Sequence, residues 1–310
     1  MKIAFLFSGQ GAQYPGMMKE LYADEPAVKE VFDAADAALG RSVSALCFDG
    51  TQEELNLTHN TQPCVLAADL AAAAALAAHG VKPAAAAGFS LGEYAALSFA
   101  GVFPAADAFR VIQIRADAMQ AAVPAGEGGM AAFVGATAEQ VEDICQKVTA
   151  GYVVAANYNS PVQTVGSGSA AGVDEACALA EQAGLRCVKL AVSAPFHCKL
   201  MEPAAMRLKE EFAGMAFADP TIPVYMNVDG APLPDGAAAA ELLVRQAMSP
   251  VRWVKTLENM RADGIDTFIE CGPGKTLSGL VKKTLKDVAI LRVENAKTLS
   301  DTLTALQDAD

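Results

Sequence analysis

At 310 residues the chain can bury a sizeable core, in one large domain or two moderate ones. Its composition, 53% hydrophobic and 19% charged, is that of a folded globular protein and excludes a disordered one. A net charge of -13 leaves no excess of Lys and Arg to neutralise phosphates, which argues against a nucleic-acid partner and confines any acidic partner to a local basic patch.

The first residues read as structure and not as a targeting signal. Ile3–Phe7 is continuously apolar but too short for a signal peptide, and it runs into Ser8-Gly9-Gln10-Gly11 with no small-residue cleavage site. A strand covered on both faces of a parallel sheet has this pattern. Helical periodicity follows over residues 17–39 and 62–78. The alanine-rich run 66–78 is broken by Asp69 and too short to span a membrane, so no membrane association is expected. Residues 84–88, bracketed by Pro83 and Gly88, are too few for a helix and predict a strand. A helix over 91–100 stops at Gly101, and Pro104 opens another that runs to about residue 122.

From about residue 128 to 192 the rhythm changes. Strands are expected at 130–134, 153–156, 163–165 and 186–192, with helices at 138–148 and 171–183. This β-α-β-β-α-β order is the ferredoxin-like pattern. The loop Pro124-Ala125-Gly126-Glu127-Gly128-Gly129 marks its entrance and Ser193-Ala194-Pro195 its exit. The expected fold class is therefore α/β. A large α/β-hydrolase-like domain with a parallel central sheet, residues 1–126 and 194–310, carries an inserted small ferredoxin-like domain at 127–193. The large domain resumes with a helix after Pro203, a strand at 222–228, a helix at 241–248 and a strand at 267–270. Gly272-Pro273-Gly274 and a helix to about residue 285 follow, and only the last few residues read as loose. The seven cysteines, odd in number and without a Cys-x-x-Cys pair, fit reduced thiols in the cytoplasm and no metal site.

The chemistry centres on Gly88-Phe89-Ser90-Leu91-Gly92, a serine on a strand-to-helix turn, where its hydroxyl is exposed beside a helix N-terminus. Such a serine needs a base, and histidine is the usual one. Of the three histidines, His79 ends an alanine-rich helix and His59 lies in the polar loop Thr58-His59-Asn60-Thr61. His197, in Ala194-Pro195-Phe196-His197, lies where the chain returns from the insert and faces the cleft between domains; elimination makes it the base. The glycines of Ser8-Gly9-Gln10-Gly11-Ala12-Gln13 let the backbone curl with its N–H groups inward. The amides of Gln10 and Leu91 can then form an oxyanion hole, although an ordinary glycine turn has the same composition. Arg115 shares an apolar helical stripe with Ala108, Val111, Ile112 and Met119, whereas Arg110 lies on a wetter face. A guanidinium on an apolar face needs an anion. Two readings stand at this point: a structural Asp or Glu, or a clamp for a substrate carboxylate.

Together these residues resemble the malonyl-CoA:acyl carrier protein transacylases of bacterial fatty-acid synthesis. The landmarks are Phe7-Ser8-Gly9-Gln10-Gly11-Ala12-Gln13, Thr61-Gln62-Pro63, residues 88–94, Arg115, Asn159-Ser160-Pro161, Pro195-Phe196-His197, residues 243–246 with 249–253, and residues 270–274. They span nearly the whole chain in family order. The resemblance implies Ser90 as nucleophile, His197 as base, Gln10 and Leu91 as oxyanion donors, and Arg115 holding the malonyl carboxylate. It also implies that the backbone carbonyl of Gln246 orients the histidine, which fits the lack of an obvious triad acid. Phe196 resembles the malonyl-selecting form of the position before the histidine. Two departures are Phe89, where the family usually has histidine, and Ser8, where it usually has proline; neither removes a catalytic group.

The resemblance further implies malonyl-CoA as substrate with no cofactor, acyl carrier protein as partner, and a cytoplasmic enzyme; nothing demands more than a monomer. Lys189, Lys199, Lys275 and the Lys282, Lys283 and Lys286 group are candidates for docking an acidic carrier protein, or are solvated helix faces. The rivals are an α/β-hydrolase-type esterase or thioesterase, a trans-acting polyketide-synthase acyltransferase, and a non-catalytic module that only docks the carrier. The hydrolase requires an acid on a strand end between Ser90 and His197, and that stretch offers no obvious one.

Overall fold

The computed structural model describes residues 1–192 and 194–309, so Ser193, at the expected exit from the insert, lies outside the described residues. In chain order the strands are β1 (Ile3–Phe7), β2 (Ala85–Gly88), β3 (Gly128–Val134), β4 (Val153–Ser160), β5 (Gln163–Ser169), β6 (Arg186–Lys189), β7 (Val224–Tyr225), β8 (Thr267–Cys271) and β9 (Ala289–Val293). Five of them form a sheet in the order β7-β2-β1-β8-β9, with every neighbouring pair parallel. β1 is central because both its faces are apolar: Phe5 and Phe7 enter one core cluster, Ala4 and Leu6 another. The chain moves from β1 to β2 on one side and later fills β8 on the other. The carboxyl ends of these strands therefore open on a crevice between diverging connections, where open α/β sheets bind ligands. Register sets Phe7 opposite both Gly88 and Cys271, so Ser8, Phe89 and Gly272 emerge side by side.

The remaining strands form an antiparallel sheet in the order β4-β5-β3-β6. β3 shows how its alternation serves two cores. Ala131 and Phe133 pack with the helices Ala138–Lys147 and Ala170–Gln182, while Met130 and Ala132 face the main core. A parallel bridge between Asn157 and Val251 fastens this sheet to the chain just before the Trp253–Ala262 helix.

Several expectations are corrected. The predicted helix over 17–39 is two helices, Lys19–Asp24 and Pro26–Leu39, because a residue before proline avoids the helical region: Glu25 is extended at φ -113° and ψ 109°. The predicted helix over 62–78 begins earlier, as Thr58–Ala78, which puts His59 in its first turn and not in a loop, and Pro63 inside it. Pro63 cannot donate to the His59 carbonyl, and that oxygen instead accepts from the Arg41 guanidinium at 2.9 Å and the Gln113 amide at 3.2 Å. At 21 residues this helix is long and apolar enough to cross a membrane, contrary to the length expected, and 83% of its apolar window is buried inside the protein.

The strand expected at 222–228 shrinks to Val224–Tyr225, since Pro223 has no N–H and Asn227 turns toward Ser90. The strand expected at 186–192 ends at Lys189, whereas β4 and β5 run several residues beyond expectation. Two C-terminal elements were not expected: β9 closes the sheet edge, and Ala296–Gln307 is a helix capped by the Asn295 side chain. Cys177 and Cys187 form a disulfide between the Ala170–Gln182 helix and β6, against the expectation of reduced thiols throughout. Helix-on-strand packing brings the two together, which a ten-residue spacing does not reveal.

Candidate active site

Ser90 sits at φ 55°, a left-handed conformation that costs a side-chain-bearing residue roughly 1–3 kcal/mol. The flanking glycines make this turn possible. A Cβ on Gly88 would lie 1.9 Å from the Gly92 carbonyl carbon, and one on Gly92 would lie 2.3 Å from the Phe7 carbonyl oxygen. β1, β2 and the following helix, Gly92–Phe99, are thus in backbone contact, and the serine between them points into the crevice.

Ser90 Oγ lies 2.7 Å from His197 Nε2, and His197 Nδ1 lies 2.9 Å from the Gln246 carbonyl oxygen. A carbonyl only accepts, so Nδ1 carries the proton and Nε2 presents its lone pair to the serine hydroxyl. Burial, followed by the nearby Arg115 charge, lowers the His197 pKa to about 4, so the ring is neutral at ordinary pH. His197 is also left-handed, at φ 60°. The other histidines lie elsewhere: His79 pairs with Glu25 at 3.0 Å, and His59 contributes only its carbonyl to Arg41 and Gln113.

Arg115 is 1% exposed and reaches the same point from the Ala105–Ala121 helix. One guanidinium nitrogen donates to Gln62 Oε1 at 2.7 Å; another donates to Ser90 Oγ at 3.1 Å and Gln246 Oε1 at 3.0 Å. Its Nε is unpartnered, and the group lies over the Tyr94 ring at 5.4 Å. Among the described residues no carboxylate forms an ion pair with it. Glu93 is close enough to act on its charge, but burial pushes that carboxyl up to about 8 and leaves it largely neutral near pH 7. Of the two readings of Arg115, a structural counter-ion is therefore not what the structure contains. Arg110, by contrast, pairs with Asp107 at the surface.

The pair opens into a cavity of about 250 Å³ lined in part by Gln10, Phe89, Ser90, Met130, Phe196 and His197. The antiparallel sheet contributes Met130, Asn157 and Val165 to its wall. Phe89 packs against Trp253 with ring centroids 5.3 Å apart, so this departure is absorbed by an aromatic contact at the cavity edge. Ser8 is buried, with Oγ 3.4 Å from the Pro273 carbonyl. Leu91 follows Ser90 at the helix start, and neither its amide nor that of Gln10 meets an acceptor among the described residues. Of the basic residues, Lys189 pairs with Asp174, Lys199 stands over the Tyr152 ring at 4.1 Å, and Lys275 and Lys282 share a surface groove with Arg292.

Sequence reasoning missed four side-chain roles here. Gln62, named only within a motif, holds Arg115. The Gln246 side chain, beyond its carbonyl, donates to the Ser90 carbonyl at 2.7 Å. Asn227 and Glu93 bond around the turn itself. A buried polar residue in an apolar strand was the available signal for Asn227.

Comparison with known proteins matches this geometry to one family. The acyl transferase domain model matches residues 4–303. The malonyl CoA-acyl carrier protein transacylase of Bacillus subtilis is 44% identical over 99% of this chain and 98% of its own length. That of Escherichia coli K12 is 45% identical over 91% of this chain and 92% of its own. The crystal structure of the Clostridium perfringens transacylase superposes with a TM-score of 0.97 at 42% identity, covering 100% of this chain and 98% of that one. A malonyl-transacylase solved with a type II polyketide-synthase acyl-carrier protein gives 0.95 at 38% identity, covering 98% of this chain and 100% of that one. The chain belongs to the acyl transferase family, among the malonyl CoA-acyl carrier protein transacylases.

Proposed function

We propose that the protein moves a malonyl group from malonyl-CoA to the phosphopantetheine thiol of acyl carrier protein, supplying fatty-acid elongation. The observation that carries this reading is Arg115: a buried guanidinium without a counter-ion, 3.1 Å from the hydroxyl that would be acylated. A malonyl carboxylate held there supplies the missing anion in bidentate geometry and aims the thioester at Ser90.

Ser90 Oγ attacks the thioester carbonyl while His197 Nε2 takes its proton. The carbon–sulfur bond breaks, the proton passes to the departing thiolate, and coenzyme A leaves a malonyl-serine ester. The carrier thiol then gives its proton to His197 and attacks that ester, and Ser90 leaves with the proton restored. The Gln10 and Leu91 amides hold the oxyanion in both steps. Phe196, beside the base in the cavity wall, would limit branching at the malonyl carbon. No cofactor enters the scheme.

The finer architecture belongs to the same proposal: an α/β-hydrolase-like domain over residues 1–126 and 194–310, and a ferredoxin-like insert over 127–193. The strand order β4-β5-β3-β6 with two helices on one face supports the latter. A monomeric, cytoplasmic enzyme and a carrier held near Lys199, Lys275, Lys282, Lys283 and Lys286 belong to the proposal as well; Lys189, already paired with Asp174, is the weakest member of that set.

Intact-protein mass spectra after mixing with malonyl-CoA test the reading. The expected result is a malonyl adduct that is absent in Ser90→Ala and discharged by added acyl carrier protein. Arg115→Ala should lose malonyl transfer by about 30- to 5,000-fold while keeping some acetyl transfer, because an unpaired buried carboxylate costs about 2–5 kcal/mol. Equal losses for both acyl groups would defeat the clamp, and steady release of coenzyme A without an adduct would identify a hydrolase.

A further inference from the structure

We propose that Asn227 is a positioning residue for the nucleophile: its side-chain amide brackets the turn at Ser90 and holds the hydroxyl in line with His197. The amide spans both sides of Phe89. Asn227 Oδ1 accepts from the Ser90 N–H at 2.7 Å, and Nδ2 donates to the Gly88 carbonyl at 2.7 Å. The Asn227 backbone N–H in turn donates to Glu93 Oε2 at 2.5 Å. Three parts of the turn are therefore tied to one residue: the last residue of β2, the nucleophile, and the first turn of the Gly92–Phe99 helix. Asn227 is 0% exposed, and no alternative partner from solvent is available to these groups.

The choice of asparagine follows from the two bonds. One acceptor and one donor are needed on adjacent atoms, which an amide supplies and a carboxylate, a hydroxyl or an alkyl group does not. From the opposite side, Gln246 Nε2 donates to the Ser90 carbonyl, so both backbone polar groups of the nucleophile are held by side chains. Those side chains arrive from after β7 and from the Ala239–Met248 helix, and Gln246 also carries the carbonyl that orients His197. The backbone of the nucleophile is thus set relative to the base, and not only relative to its own strand. Loss of the bracket frees Ser90 to relax from φ 55°, turning Oγ away from Nε2.

The proposal rests on Ser90 as nucleophile, and its test needs a readout independent of the acyl donor. A fluorophosphonate that phosphonylates activated serines reads the Ser90–His197 pair without malonyl-CoA. Asn227→Ala should slow both phosphonylation and malonyl-adduct formation at saturating donor by ten- to a hundredfold, with the half-saturating malonyl-CoA concentration within twofold of wild type. Asn227→Asp, which keeps the acceptor for Ser90 but loses the donor to Gly88, should fall between the two. A cooperatively melting Asn227→Ala protein that reacts within twofold of wild type would overturn the proposal. A raised half-saturating concentration at an unchanged saturating rate would do the same. If Asn227→Ala does not fold, the isosteric Asn227→Asp decides by the same criteria. Malonylation failing in wild type while phosphonylation succeeds would remove the acyl-donor reading and leave the bracket standing. Wild-type resistance to the probe would remove both.

Discussion

The two sheets of this molecule differ in how tightly function constrains them. In the parallel sheet, β1, β2 and β8 end within reach of one another, and their last residues lead directly into Ser8, Phe89 and Gly272. Here backbone touches backbone, and a single methyl group has nowhere to go. In the antiparallel sheet, the face toward the Ala138–Lys147 and Ala170–Gln182 helices is ordinary apolar packing, and only the opposite face supplies Met130, Asn157 and Val165 to the cavity. The Ser90–His197 pair is built where strands end, and part of the cavity wall where a strand face is shared. Damage to the first region should therefore abolish activity, whereas damage to the helix-covered face of the second should cost stability alone.

Gly92→Ala is the most severe way to press that contrast. Its Cβ would lie 2.3 and 2.5 Å from the Phe7 and Ser8 carbonyl oxygens, so either the turn or β1 must move. Malonyl-adduct formation by mass spectrometry should fall by at least about a hundredfold, comparable with loss of an oxyanion donor. Near-normal acylation would show the close contact to be dispensable. On the other sheet, Phe133→Ala empties a fully buried site and should lower unfolding free energy by about 3–5 kcal/mol in urea melts. Acylation per folded molecule should not change; a drop would mean that the helix-covered face reaches the cavity.

A pH test sharpens the electrostatic side of the comparison. Between its ordinary pKa of 6.5 and its folded value of about 4, His197 binds fewer protons folded than unfolded. Its contribution to stability is complete above pH 6.5 and declines as pH falls toward 4, by roughly 3 kcal/mol. His197→Gln should therefore gain stability relative to wild type when unfolding at pH 7 is compared with unfolding at pH 4; a constant difference would show that the ring is not held neutral by burial. The smallest effect is expected for Ile144→Val, under the antiparallel sheet, at about 0.5–1.5 kcal/mol by thermal melt and with unchanged acylation.

What the sequence made legible follows the same division. β1 was readable because a doubly covered strand is continuously apolar, and the turn at Ser90 because its glycines are fixed by close approach. His197 was reached by elimination among three histidines. The Gln246 carbonyl was not readable from residue type, since any residue has one, and entered only through family resemblance. Asn227, Glu93 and Gln62 act across 137, 134 and 53 positions, respectively, and contacts at that separation leave no periodic trace. β9 escaped notice because Ala289–Val293 is only partly buried along most of its length, as an edge strand can be.

One consequence of the His197–Gln246 contact concerns the direction of proton flow. An imidazole oriented by a neutral carbonyl has no anion to stabilise its charged form, and here that form is an acid with a pKa of about 4. In the proposed cycle such an acid gives its proton readily to a departing thiolate, since a thiol is a far weaker acid, with cysteine at about 8.5. Because the group that arrives in the second half of the cycle is a thiol of the same class, the two half-reactions run nearly level with each other. On that proposal the site suits exchange between two sulfur carriers, with net flow set by their relative concentrations and by what consumes the product.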